Sequence, residues 1–290
     1  MTAARKPLVA FLGLGRMGAP MTANIAKAGY AVRAWNRTPR TNVPAVAGLT
    51  VVSEARDAVA NADIVLLMLS DAVAVEALLF SSGLAKHLSK GAIVIDMGTC
   101  GPRAARDHAQ RLNTWGVRYL DAPVSGGVKG AQNASLTILV GGDASTFGAA
   151  HSVLLAMGTP HHLGDVGAGQ TAKLSNQLIV AGYIAAVAEG VRFAQQQGLD
   201  AGQLIAALEG GFADSPVLRQ HGRRMATRDF TPGGTCRLHL KDLRLAAELS
   251  GDGFSRLVHA NEIMHRFATL VRDGSGDQDH SAYFLTYEQP

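Results

Sequence analysis

Four short stretches carry residues whose types and spacing could do chemistry. Lys173 is followed at three and four residues by Asn176 and Gln177, a spacing that puts all three on one side of a helix. A lysine beside an amide pair near the start of a helix can exchange a proton, because burial and the helix dipole both disfavour its ammonium form. The same lysine could equally snorkel out of an ordinary helix start. Ser125-Gly126-Gly127 closes a strand-like run. Consecutive glycines expose N–H groups that form an anion-binding concavity, which the serine hydroxyl can complete for a carboxylate, although a permissive strand-exit turn uses the same residues. Gly13-Leu14-Gly15-Arg16-Met17-Gly18 is a GxGxxG. Lys241-Asp242 opens a helical run and, on local grounds, reads as a solvated pair.

The elements that must position these residues come in two kinds. Residues 8–12 form a short apolar run, as a buried parallel strand does. The glycines follow it directly, and a helical pattern over 19–28 stops at Gly29. Strand, glycine turn and helix in that order are the context a dinucleotide fingerprint requires. Gly13 allows the turn, Gly15 lets a pyrophosphate approach the backbone, and Gly18 lets helix and strand pack. The helix N-terminus then faces the phosphates.

Residues 31–36 read as the second strand. It ends in Asn36-Arg37-Thr38, where NAD-binding chains place an acid for the ribose 2′-hydroxyl. With no carboxylate to repel a 2′-phosphate and a guanidinium to bind one, NADP is expected ahead of NAD. If Arg37 is a solvated loop residue, either cofactor fits.

Strand-like runs at 62–69, 92–97 and 117–122 continue the alternation. They imply an α/β fold, a Rossmann-type doubly wound parallel sheet, with ligands beyond the strand C-termini. Thr99, just past the fourth of these strands, faces the nicotinamide side or caps the helix at Pro102. A further strand is expected at 135–140, and His161-His162 is expected in a polar turn.

From about residue 169 long helical patterns replace the strands: 171–197, 201–208, 216–226, 238–249 and 254–272. This predicts a dinucleotide-binding domain over 1–168 and an all-helical substrate and dimerisation domain over 169–290, joined by the helix at 171–197. That helix is apolar on almost every side between 178 and 188, which predicts burial. The glycine-rich stretch 274–282 is expected to be a mobile polar loop, a lid or a linker.

Composition narrows the class. At 290 residues, 47% apolar and 17% charged, the chain is globular. A net charge of +4 without charge blocks gives no support to nucleic-acid binding. Cys100 and Cys236 are the only cysteines and lack metal-ligand spacing, so neither a disulfide framework nor structural zinc is expected. The first residues, Met1 to Pro7, are too short a lead for a signal peptide. No membrane span is expected, and a cytoplasmic location follows by default.

Taken together, these stretches resemble the β-hydroxyacid dehydrogenase family, which includes the 3-hydroxyisobutyrate dehydrogenases. The matching segments are Phe11-Leu12-Gly13-Leu14-Gly15-Arg16-Met17-Gly18-Ala19-Pro20-Met21, Asp121-Ala122-Pro123-Val124-Ser125-Gly126-Gly127, Gly167-Ala168-Gly169-Gln170 through Lys173, Lys241-Asp242-Leu243, and Asp279-His280-Ser281-Ala282. They keep the family's order over nearly the whole chain. The resemblance implies Lys173 as catalytic lysine and Ser125, Gly126 and Gly127 as the substrate-carboxylate loop. It also implies cofactor contacts from Thr99 and Lys241 and a homodimer or homotetramer.

Asn176-Gln177, Gly210-Gly211-Phe212-Ala213 and His221-Gly222 look most like the family's 2-hydroxy-3-oxopropionate (tartronate semialdehyde) reductase branch. Many relatives have asparagine where Gln177 stands, and Ser250-Gly251-Asp252-Gly253-Phe254 replaces a more hydrophobic connection. The expected reaction is NADP(H)-dependent interconversion of tartronate semialdehyde and D-glycerate, without a metal. The alternatives are 3-hydroxyisobutyrate or another 3-hydroxy acid such as threonate with NAD, and a non-catalytic nucleotide-binding module.

Overall fold

A computed structural model describes residues 5–40 and 43–288; of the N-terminal lead, residues 1–4 lie outside the described residues. The chain divides into two compact units, Met1–Lys173 and Leu174–Pro290.

The first unit is built on a six-stranded parallel sheet. Its strands are β1 (Val9–Leu12), β2 (Val32–Trp35), β3 (Leu49–Val51), β4 (Ile64–Leu67), β5 (Ile93–Asp96) and β6 (Arg118–Asp121), in the order β3-β2-β1-β4-β5-β6. This is the doubly wound order of dinucleotide-binding sheets. Its central strands are apolar, apart from the Asp96 that ends β5, because both faces are covered. Val9 and Phe11, Ile64 and Leu66, and Ile93 and Ile95 enter one core, while Ala10 and Leu12, Val65 and Leu67, and Val94 enter the other. The covering helices of this stretch are α1 (Gly18–Lys27), α2 (Ala55–Val59), α3 (Ala72–Val75) and α4 (Pro102–Asn113).

Beyond β6 lies a second, three-stranded sheet of β7 (Val124–Ser125), β8 (Leu136–Val140) and β9 (Gly158–His162), with β7–β8 antiparallel and β8–β9 parallel. Helix α5 (Gly127–Gln132) follows β7, and α6 (Ala144–Leu155) connects β8 to β9. His161 and His162 therefore end a strand rather than sit in a polar turn. His161 pairs with Leu139 and His162 with Val140, and the His162 ring stacks on Phe147 at 5.1 Å. Neither β3 nor β9 has a long apolar run, which is why periodicity did not announce them.

The division between the units falls inside α7 (Ala168–Gln196). The second unit adds α8 (Ala201–Leu208), α9 (Arg223–Thr227), α10 (Cys236–Ser250) and α11 (Val258–Arg272), with short 3₁₀ and π turns between them. Its core joins Ala181, Ile184, Ala188 and Val191 of α7 to Leu240 and Leu243 of α10, Ile263 and Phe267 of α11, and Tyr283 and Phe284.

Burial of α7 is one-sided, contrary to its apolar composition. Ile179, Tyr183 and Phe193, successive along one side of the helix, are 58%, 50% and 66% exposed. The unit has packing partners for only one side of this helix. By length and composition α7 could also cross a membrane, but its other side belongs to the unit's core.

The stretch 274–282 is not a mobile lid. Ser275–Asp277 forms a 3₁₀ turn, and Asp279, Ser281 and Ala282 are fully buried. Asp279 also bridges to Thr235. Glycine content suggested freedom, but the buried carboxylate of Asp279 ties the segment down.

Candidate active site

In the first unit the predicted groups sit at strand C-termini. Gly13 turns with φ +108°, and a Cβ there would lie 2.4 Å from the Met68 carbonyl. A Cβ on Gly18 would come within 1.9 Å of the Gly13 carbonyl. These two glycines are demanded by packing. Gly15 differs, because nothing lies within 4 Å of the point its Cβ would occupy. That open approach to backbone N–H groups fits a pyrophosphate.

Asn36 locks the turn. Its Oδ1 accepts from Leu14 N at 2.8 Å and its Nδ2 donates to the Thr38 carbonyl at 2.6 Å. Arg16, Arg37 and Thr38 are exposed and Met17 half-buried. A surface depression of about 430 Å³ is lined by Gly15, Arg16, Lys27 and Arg40 among others. Its basic rim suits phosphates.

Beyond β5, Thr99 is half-buried between buried Gly98 and Cys100. It does not cap α4, whose N-cap is Gly101. Ser125 is half-buried and Gly126 and Gly127 are exposed, with φ +125° and +60°. Two successive left-handed residues explain why glycine stands at both positions.

Three buried residues that pattern reading passed over hold these loops. Gln170, fully buried, accepts from Cys100 N and Gly101 N at 3.0 Å each and donates to the Gly98 carbonyl at 2.9 Å. One side chain thus fixes both sides of Thr99. Asp121, at the end of β6, accepts from Gly167 N at 2.7 Å and Gln170 N at 2.8 Å. It thereby anchors the start of α7, one and a half turns before Lys173. Burial pushes the Asp121 carboxyl up, against the pull of those N–H donors. Asp96, at the end of β5, accepts from Gly98 N at 2.9 Å, and burial raises its carboxyl to about 6. A sequence signal existed: each acid ends a parallel strand directly after a buried aliphatic residue, Ile95 or Leu120. Lys173 itself is half-buried, not sunk in the core.

In the second unit Asn176 Nδ2 donates to Gln177 Oε1 at 3.0 Å, and Gln177 Nε2 donates to Asp242 Oδ2 at 2.7 Å. Asp242 is 5% exposed and its other oxygen lies 3.2 Å from Lys241 Nζ. The Lys241–Asp242 pair is therefore no solvated face. It is the far end of a polar network that begins at Asn176.

The parallel sheet, the glycine turn and the open Gly15 approach define a dinucleotide-binding fold. Two family models match nearly the whole chain. One describes the NAD binding domain of 6-phosphogluconate dehydrogenase and covers residues 8–170. The other describes the NAD-binding of NADP-dependent 3-hydroxyisobutyrate dehydrogenase and covers 167–287.

The chain is 38% identical over 280 residues to the 2-hydroxy-3-oxopropionate reductase of Escherichia coli, covering 96% of each protein. It is 34% identical over 283 residues to the NAD-dependent L-serine dehydrogenase of Pseudomonas aeruginosa, covering 94% of this chain and 95% of that one. The structure of Mycobacterium tuberculosis 3-hydroxyisobutyrate dehydrogenase with L-serine superposes with a TM-score of 0.86 at 33% identity, over 98% of this chain and all of that one. The chain belongs to the β-hydroxyacid dehydrogenase family, and is an NAD(P)-dependent oxidoreductase of small hydroxy acids.

Proposed function

We propose that the protein is an NADP(H)-dependent 2-hydroxy-3-oxopropionate reductase that interconverts tartronate semialdehyde and D-glycerate. Residues 1–168 would be the nucleotide-binding domain, and 169–290 the substrate and dimerisation domain. The observation that carries the reading is the Asn176–Gln177–Asp242 network on the helix of Lys173, in a chain 38% identical to the E. coli reductase. Bound nicotinamide supplies or accepts the hydride.

The chain's own residues do the rest. The N–H groups at Gly126 and Gly127, with the Ser125 hydroxyl, receive the substrate carboxylate. Lys173 gives its proton to the oxygen that gains charge as the aldehyde is reduced, and takes it back in oxidation. Asn176 or Gln177 would orient the lysine or a substrate hydroxyl. The loop Gly13 to Gly18, with Asn36, Arg37 and Thr38, holds the adenosine half of the cofactor. Thr99 would contact the cofactor on its nicotinamide side, and Lys241 is a further cofactor contact.

Arg37 stands where an acid would exclude a 2′-phosphate, which supports NADP. A second reading, NAD-dependent oxidation of another 3-hydroxy acid, is supported by the 34% identity to the NAD-dependent L-serine dehydrogenase. The exposed apolar side of α7 supports a homodimer or homotetramer, in a cytoplasmic enzyme.

The test is Lys173→Ala, assayed with tartronate and methylmalonate semialdehydes, each with NADPH and NADH. The variant should lose roughly 10²–10⁴-fold in kcat while still binding NADPH. Retention of more than a few per cent of wild-type kcat rejects the lysine mechanism. Faster turnover of methylmalonate semialdehyde, or with NADH, rejects the substrate or cofactor assignment.

A further inference from the structure

The second unit sets three histidines in line, His221 and His239 buried and His280 half-buried, and none of them is used by the chemistry above. His239 Nε2 lies 3.2 Å from the Gln177 carbonyl, and its Nδ1 lies 2.9 Å from His280 Nδ1. His280 Nε2 lies 3.2 Å from His221 Nε2, and His221 Nδ1 lies 3.4 Å from Asp279 Oδ1. His221, His239 and Asp279 are 7%, 2% and 1% exposed. The rings come from three separate segments: the turn Leu218–Gly222, helix α10, and the 3₁₀ stretch His280–Tyr287.

Every contact along this line can be attractive only with four ring protons on the three imidazoles, and the doubly protonated ring is then His221, the one that faces a carboxylate. A carbonyl only accepts, so His239 Nε2 carries a hydrogen, and in a neutral ring its Nδ1 is then bare. His280 Nδ1 must donate to it, which leaves His280 Nε2 bare. His221 Nε2 must donate in turn. If His221 were also neutral, its bare Nδ1 would face the Asp279 carboxylate, acceptor against acceptor. A fourth proton, on His221 Nδ1, removes that conflict and makes an ion pair.

Asp279 is built to stay ionised. It also accepts from Ser281 N and Oγ at 3.0 and 2.7 Å and from Gly233 N at 3.0 Å, and Arg224 Nη1 lies 3.5 Å away. Burial works against its charge, but the contact with His221 and the Ser281 donors outweigh it and hold the carboxyl below the usual range. Burial, and then the neighbouring imidazoles, push His280 well down, which makes it the neutral member.

We propose that Asp279, His221, His280 and His239 form a positioning relay, holding four ring protons on three imidazoles, that fixes the Gln177 turn of α7 and through it Asp242 and Lys241. The end of the relay donates to the Gln177 backbone, and the Gln177 side chain holds Asp242 at 2.7 Å. These are positioning residues, because none of them needs to touch substrate. Their effect on turnover rests on the proposed reductase reading, but the proton count does not.

The test uses the full chain labelled with ¹⁵N. A long-range ¹H–¹⁵N spectrum at neutral pH, with rings assigned by single variants, should show His221 protonated at both nitrogens. His280 should carry its proton on Nδ1 only, and His239 on Nε2 only. A neutral His221, a proton on His280 Nε2, or one equivalent of zinc in the isolated protein overturns the relay.

His239→Phe keeps the stack on Phe267, whose ring lies 5.1 Å away at 9°, and removes both polar contacts. It should lower kcat roughly tenfold to a hundredfold through misplaced site groups, with KM for the semialdehyde nearly unchanged. His239→Gln, with one donor and one acceptor, should recover most of the loss. A folded His239→Phe within twofold of wild type overturns the positioning role. If that variant does not fold, a His239→Gln with less than a tenth of wild-type kcat does so instead. Wild-type protein inactive on every semialdehyde would refute the reductase reading, while the spectrum still decides the relay.

Discussion

Replacing Gln170 by methionine removes one polar side chain of similar volume and leaves three backbone groups facing it. The amide is fully buried and makes three hydrogen bonds of 2.9–3.0 Å, to Cys100 N, Gly101 N and the Gly98 carbonyl. Each such bond is worth about 1 kcal/mol net, and each buried group left without a partner costs about 1–3 kcal/mol. Three such groups would cost about 3–9 kcal/mol, and apolar contacts made by the methionine offset part of this, leaving a loss of about 3–5 kcal/mol, a large share of the stability of a domain.

Both tryptophans, Trp35 and Trp115, lie in the first unit. Urea unfolding followed by tryptophan fluorescence therefore reads the unit that contains Gln170. With a slope of about 2 kcal/mol per molar urea, the midpoint should fall by roughly 1.5–2.5 M. NADPH binding should weaken as well, since the amide fixes the loop on both sides of Thr99. A midpoint within 0.5 M (about 1 kcal/mol) of wild type would refute the argument that this one side chain braces the loop.

Other outcomes follow from the same geometry. Asp96 has its carboxyl raised from 3.8 to about 6 by burial, so the folded state holds the proton more tightly than the unfolded one. This group's contribution to stability therefore falls as pH rises from about 4 to 6 and is constant above that. The gap corresponds to about 3 kcal/mol. The stability of Asp96→Asn relative to wild type should rise by up to that amount between pH 4 and pH 7 in urea titrations, and a pH-independent difference would contradict it. Gly15→Ala should fold with wild-type stability yet bind NADPH at least tenfold more weakly by fluorescence titration. Gly18→Ala, whose Cβ would meet the Gly13 carbonyl at 1.9 Å, should express as misfolded protein. Tyr183→Glu with Ile179→Glu, on the exposed apolar side of α7, should shift the protein toward monomer in sedimentation, and an unchanged oligomer would remove that helix from the interface.

Much of the molecule was legible in one dimension, because the relevant rules are local. An apolar run followed by glycines and a helical period specifies strand, turn and helix within about twenty residues. The sheet order of the first unit follows from repeating that unit with right-handed crossovers. The all-helical second half was legible for the same reason. Lys173, Ser125-Gly126-Gly127 and the glycine turn stood out because each is a short, unusual local pattern.

What local pattern could not reveal was pairing between distant segments. Asp121 meets Gly167 and Gln170, Gln170 meets the Gly98–Gly101 loop, and Gln177 meets Asp242. Each partner looks ordinary in its own stretch. Lys241-Asp242 read as a solvated pair because adjacency says nothing about what packs over it, and 274–282 read as mobile because its glycines are visible while the burial of Asp279 is not. The apolar face of α7 was overestimated as core for the converse reason: hydrophobicity shows that a side wants cover, and only tertiary packing decides which sides receive it within one chain. The three histidines show this most plainly. They are separated by up to 59 residues, and their protonation is set by which nitrogen faces which, a relation that exists only once the chain has folded.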